Sequence, residues 1–171
     1  MKLHSVCPTD IVDTPAETVW ALLTNPSGWG SYFDATVKSV IPEGHAVQGQ
    51  RVGLATGSWP FRFLLTFEFT GVDEVRHELA IDIRLPFGIV NHERLSVTPL
   101  GANACRVSYG CNFYFPDGWR GRLLWTLFRR QFESGPADSL ARLKRAAEER
   151  ARTRADAAIL RGVSSAFEDS P

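Results

Sequence analysis

Four polar residues, His77, Asn91, Glu93 and Tyr109, share the parity of otherwise apolar strand faces, and chemistry would sit with them. Between 89 and 97 the inward set ends in Leu95 and Val97 and takes in Asn91 and Glu93, while His92, Arg94 and Ser96 point the other way. Between 105 and 115 it comprises Cys105, Val107, Tyr109, Cys111, Phe113 and Phe115, against Arg106, Ser108 and Asn112. A carboxylate on an apolar wall loses hydration, so its pKa rises and it becomes a usable general acid or base. Glu93 is the sharpest candidate for that role. Tyr109 could offer its hydroxyl to a ligand carbonyl, and Asn91 could orient a ligand. Each also has a plainer reading: Glu93 solvated or paired with an arginine, Tyr109 an ordinary core tyrosine, Asn91 satisfying a turn. His77, beside Val75 and Arg76 at a strand start, reads as an exposed histidine, and His92 falls on the outward side.

The elements that must hold these residues alternate with period two, as half-buried antiparallel strands do. Phe61, Phe63, Leu65, Phe67 and Phe69 face inward in one run, and Leu79, Ile81, Ile83 and Leu85 in the next. Gly71, Pro86-Phe87-Gly88 and Pro99 to Asn103 supply turns. Further strands are expected near 3–12, 36–41 and 51–56, about seven in all. A short helix starts after Thr14, where Thr14, Pro15 and Glu17 spell an N-cap, a first-turn proline and a capping box. Its apolar face is Val19, Trp20, Leu22 and Leu23, and Trp29 to Phe33 suggests one more helical turn.

A long helix follows Pro116-Asp117-Gly118. Its first half carries a wide apolar arc of Leu123, Leu124, Trp125, Leu127, Phe128 and Phe132, and its second a narrower stripe of Leu140, Leu143 and Ala147. Gly135-Pro136 between them predicts a kink or break. The segment from Gly118 to Arg130 interleaves aromatics with four arginines, as membrane-docking helices do. The preferred reading is instead a gripped core helix with a solvated arginine face, because a helix wrapped by a curled sheet already requires the apolar residues.

The stretch Asp13-Thr-Pro-Ala-Glu-Thr-Val-Trp-Ala-Leu-Leu-Thr-Asn-Pro, followed by Trp29-Gly-Ser-Tyr-Phe33, comes after one strand and before a run of strands and a closing helix. This order resembles the START-like, helix-grip superfamily, the SRPBCC group of polyketide cyclases, lipid carriers and pathogenesis-related allergens. The resemblance implies an α+β helix-grip fold over residues 1–150. Its curved antiparallel sheet of six or seven strands would wrap a long C-terminal helix, with two short helices after the first strand. Residues 151–171 would form a partly disordered extension. It also implies a cavity between sheet and helix, with its mouth near Trp29–Phe33 and Pro86-Phe87-Gly88. By parity the lining would be Phe63, Leu65, Phe67, Ile81, Ile83, Asn91, Leu95, Tyr109, Cys111 and Phe113, closed by Leu123, Leu127 and Phe128. The implied function is binding of a small hydrophobic molecule (lipid, polyketide or isoprenoid) as carrier or sensor. The alternative is a polyketide cyclase or dehydratase working without cofactor or metal through Glu93 and Tyr109.

Composition sets outer limits. Lys plus Arg equals Asp plus Glu at 19 each, so no bulk charge draws the chain to nucleic acid. Eleven Phe and five Trp suit a large core or an apolar pocket. The three cysteines, Cys7, Cys105 and Cys111, lack CxxC spacing, and Cys105 and Cys111 read as small buried hydrophobes. With no apolar run near the ~20 residues of a membrane span and no leader ahead of residue 10, a reducing cytoplasm is expected. No metal-ligand spacing, GxSxG or GK[ST] loop occurs.

Overall fold

In the computed structural model of the chain, residues 1–33, 35–57 and 63–168 are described, the last eleven by backbone alone. The strands are β1 (Lys2–Val6), β2 (Thr9–Val12), β3 (Ala35–Ile41), β4 (Arg51–Thr56), β5 (Phe63–Asp73), β6 (Glu78–Arg84), β7 (Val90–Pro99) and β8 (Cys105–Phe115). Helix α1 (Ala16–Leu23) and a 3-10 turn (Pro26–Ser31) lie between β2 and β3, and α2 (Gly118–Glu168) closes the chain. All pairings are antiparallel, and from β3 to β8 the chain is a meander. The inward-facing Phe61 of the sequence reading lies outside the described residues.

The single first strand expected over 3–12 is divided into β1 and β2, and Pro8 is the reason. A proline has no N–H to give the ladder. Its carbonyl still accepts from the Tyr109 N–H at 2.9 Å. Val6 stands opposite Cys111 and Thr9 opposite Ser108, so the register on β8 runs through the interruption unchanged.

The opening motif has a structural purpose. The last carbonyls of a helix lack intrahelical donors. Here Tyr32 donates its hydroxyl to Leu22 O at 2.9 Å and Trp29 its indole N–H to Leu23 O at 3.0 Å, closing the end of α1 with two buried aromatics. The expected capping box is not formed. Pro15 is the N-cap, Thr14 falls one residue too early, and its buried hydroxyl has no partner among the described residues. Glu17 instead approaches His77 Nε2 at 3.5 Å.

Helix α2 packs on β8, β2, β1 and α1. Leu140, Leu143 and Ala147 are fully buried, as the narrow stripe requires. The predicted break at Pro136 is absent, and the helix continues past residue 150 to Glu168. A proline removes one backbone bond, but both flanks are held. Phe132 packs on Phe113 and Phe115 at ring distances of 4.8 and 5.2 Å, and Leu140 sits in the core. The wide apolar arc is only partly gripped: Leu124, Trp125, Phe128 and Phe132 are half-buried, whereas Leu123 and Leu127 are exposed. Among the described residues no helix is long and apolar enough to cross a membrane.

Candidate functional site

Strands β6, β7 and β8 pair without a bulge, so their inward residues form rows across the sheet. One row carries Phe67, Ile83, Asn91 and Phe113, the next Phe69, Ile81, Glu93 and Cys111, and the third Leu79, Leu95 and Tyr109. Over the first row opens a cavity of about 820 Å³ between the sheet and the first half of α2. Phe63, Leu65 and Phe67 of β5 and Leu54 of β4 form one wall, and Leu127, Phe128 and Phe132 of α2 the other. Phe33 and the 3-10 turn Pro86–Gly88 complete the rim. Phe87 there is 62% exposed and holds a left-handed backbone (φ 64°) that bulky residues rarely adopt.

The polar floor is one bonded cluster. Asn91 Nδ2 donates to Glu93 Oε1 at 2.7 Å, and the Tyr109 hydroxyl donates to Glu93 Oε2 at 2.8 Å. The Cys111 thiol lies 3.8 Å from Oε1. All three partners are neutral, and Glu93 is only 7% exposed. Burial therefore dominates and pushes the Glu93 carboxyl up to about 7, with the hydrogen bonds from Tyr109, Asn91 and Cys111 pulling less strongly the other way. Burial, reinforced by the charge on Glu93, pushes the Tyr109 hydroxyl and the Cys111 thiol well up. One exchangeable proton near neutral pH thus belongs to Glu93, while its two titratable neighbours stay protonated.

Of the residues read from the sequence, Phe63, Leu65, Phe67, Ile83, Asn91, Glu93, Tyr109, Phe113, Leu127 and Phe128 line this cavity. Ile81, Leu95 and Cys111 do not; they are packed in the core one or two rows deeper. Glu93 and Tyr109 occupy those same rows but reach the cavity. Leu123 is a correction, since it lies 48% exposed on the outer side of α2. His77 is far from the floor, in the turn after β5, where its ring packs on Trp20 at 5.0 Å. His92 faces outward and meets Asp82.

Leu85, placed on the inward face by the sequence but left out of the lining, also borders the cavity, as does Ile89, which shares the parity of Asn91. The sequence reading missed Leu54, on a strand only loosely placed, and Arg130, Gln131, Asp138 and Arg142 of α2. Helical periodicity carries no signal for which polar side chains lean over a gap. A second concavity, of about 700 Å³, lies at the start of α1. It is lined by charges of both signs, Asp13 and Glu148 with Arg152 and Arg154, and holds no comparable buried cluster.

The structure is similar to that of the Zhui aromatase/cyclase from Streptomyces sp. R1128, with a TM-score of 0.69 at 18% identity over 87% of this chain and 96% of that one. It is also similar to norcoclaurine synthase from Thalictrum flavum, with a TM-score of 0.66 at 12% identity over 87% and 96% of the two chains. A protein from Thermobifida fusca gives a TM-score of 0.63 at 20% identity over 85% and 93%. At these identities the likeness establishes the helix-grip fold. No curated protein sequence matches the chain. The family described as polyketide cyclase / dehydrase and lipid transport matches residues 4–148, and the chain belongs to that family.

Proposed function

We propose that this protein binds a small, largely apolar molecule in the cavity above Asn91, Glu93 and Tyr109, as a carrier or sensor. The observation that carries this reading is a large apolar cavity with a single buried polar cluster on its floor. Apolar walls supply affinity, while a few fixed polar groups set the orientation of the ligand. Norcoclaurine synthase, of similar fold, has been solved in complex with dopamine and hydroxybenzaldehyde, which supports a ligand of that size. A lipid, polyketide or isoprenoid fits the same description. Three unpaired cysteines suit a reducing compartment such as the cytoplasm.

A second reading is favoured by one specific observation, the carboxyl of Glu93 held near pH 7. A group so poised can take a proton from carbon next to a ligand carbonyl and return it to oxygen, which is proton transfer without a cofactor. Tyr109 would orient that carboxylate.

Native mass spectrometry of freshly purified protein separates the readings. An apolar molecule recovered unchanged, and lost on denaturation, supports the carrier. Turnover of a polyketone that disappears in Glu93→Gln supports the enzyme. A ligand-free protein that also fails to take up apolar probes would overturn both.

A further inference from the structure

We propose that the exposed stripe Trp119, Leu123 and Leu127 of α2, with Phe87 at the cavity rim and Arg120, Arg122 and Arg130 around it, docks the cavity mouth onto an anionic phospholipid bilayer. The stripe follows from spacing. Residues four apart on a helix advance only ~40° around it, so the three side chains share one face over ~12 Å of its length. They are 68%, 48% and 65% exposed, so the fold does not use them. Phe87, equally exposed, belongs to the turn beside the start of α2, where a Cβ on Gly88 would lie 3.7 Å from Pro116. Leu127 and Phe87 line the cavity as well as the surface, so the outer apolar face is continuous with the entrance.

Charge selects the occupant. The chain as a whole is neutral, yet between Asp117 and Glu133 it carries four arginines and no carboxylate. Arg129 is paired with Glu133 at 2.8 Å, whereas among the described residues no ion pair engages Arg120, Arg122 or Arg130. Apolar side chains ringed by arginines without ion pairs, Arg120 resting over the Trp119 ring at 5.7 Å, match the acyl boundary and the anionic headgroups of a bilayer at once. Docked this way, an apolar ligand would pass between bilayer and cavity without crossing water, whichever ligand the cavity holds.

The test is cosedimentation of the full chain with phosphatidylcholine vesicles with and without about 30% phosphatidylglycerol. The expected result is binding to the anionic vesicles only, weakened in about 0.5 M salt, where charge is screened within a few ångströms. Arg120→Glu with Arg122→Glu should lose roughly fivefold or more per arginine. Trp119→Glu with Leu123→Glu should abolish binding at unchanged thermal stability, because neither side chain is buried. As a measurement independent of those variants, an environment-sensitive dye on Leu123→Cys should shift to the blue on anionic vesicles. Equal binding to both vesicle types, or no dye shift, would overturn the proposal. So would a dimer seen by light scattering that Leu123→Glu separates, which would assign the face to a second copy of the chain.

Discussion

The Tyr109 hydroxyl donates to Glu93 Oε2 at 2.8 Å across β7 and β8, and this bond ties the protonation of the cavity floor to the stability of the fold. An unfolded glutamate titrates near 4.5, whereas buried Glu93 holds its proton up to about 7. The folded state therefore binds the extra proton between these values. Its contribution to stability is full below about pH 4.5 and is lost as pH rises through about 7. The loss is about 3 kcal/mol.

Glu93→Gln should remove that fall. In urea unfolding between about pH 5 and 8 the variant should gain on the wild type as pH rises, and parallel curves would contradict the buried carboxylate. Tyr109→Phe should act in the opposite sense. With one donor gone, the charged form loses support, so the variant should be weaker than wild type by about 1–3 kcal/mol at pH 8 and nearly equal to it at pH 5.

His4 gives a slope of opposite sign. Its ring stacks on Trp125 of α2 at 3.6 Å and meets Phe115 edge-on at 5.5 Å. Burial, followed by the charge of Lys2, holds its pKa below the usual 6.5. The stability it confers is present above 6.5 and declines as pH falls through the lowered folded value. His4→Phe keeps a ring on Trp125 and should abolish the decline, as read by thermal unfolding at acid pH.

The grip on α2 should be felt in one half only. Leu140→Ala empties a fully buried position and should cost about 2–5 kcal/mol, whereas Leu123→Ala should stay within about 0.5 kcal/mol. Chemical denaturation of both variants decides it; comparable losses would mean that the wide arc is packed after all.

At Phe87 the usual order of alanine and glycine should invert. A left-handed backbone disfavours any Cβ by about 1–2 kcal/mol, which exceeds the entropy that glycine adds to the unfolded chain. Phe87→Gly should therefore melt above Phe87→Ala by a few degrees. The reverse ranking would show the rim turn to be relaxed.

The site was legible in the sequence where the ladders are regular. From Glu78 to Phe115 no bulge intervenes, so parity carried Asn91, Glu93 and Tyr109 to the correct face. Parity names a face but not a depth. Nothing in it separates Ile83, which lines the cavity, from Ile81, which is core, because that division depends on how a helix distant in sequence docks over the sheet. Leu123 and Leu127 show the same limit from the other side. An apolar arc states what a helix can bury, while the partner's width decides how much it does. The mistaken cap at Thr14 is a matter of one residue: Pro15 has a helix-compatible φ of −55° but an extended ψ of 142°, so it stands just outside the first turn instead of opening it.

The unbroken passage of α2 through Pro136 has a mechanical consequence. A helix anchored at Leu140 and packed through Trp125 and Phe132 is expected to resist bending at its middle, which would make that wall of the cavity the stiffer one. Compliance would then fall to the lip, where three residues of 3-10 turn carry Phe87. A guest would then be admitted by the yielding of a few exposed atoms, and the speed of its entry would be set apart from the strength with which the interior holds it.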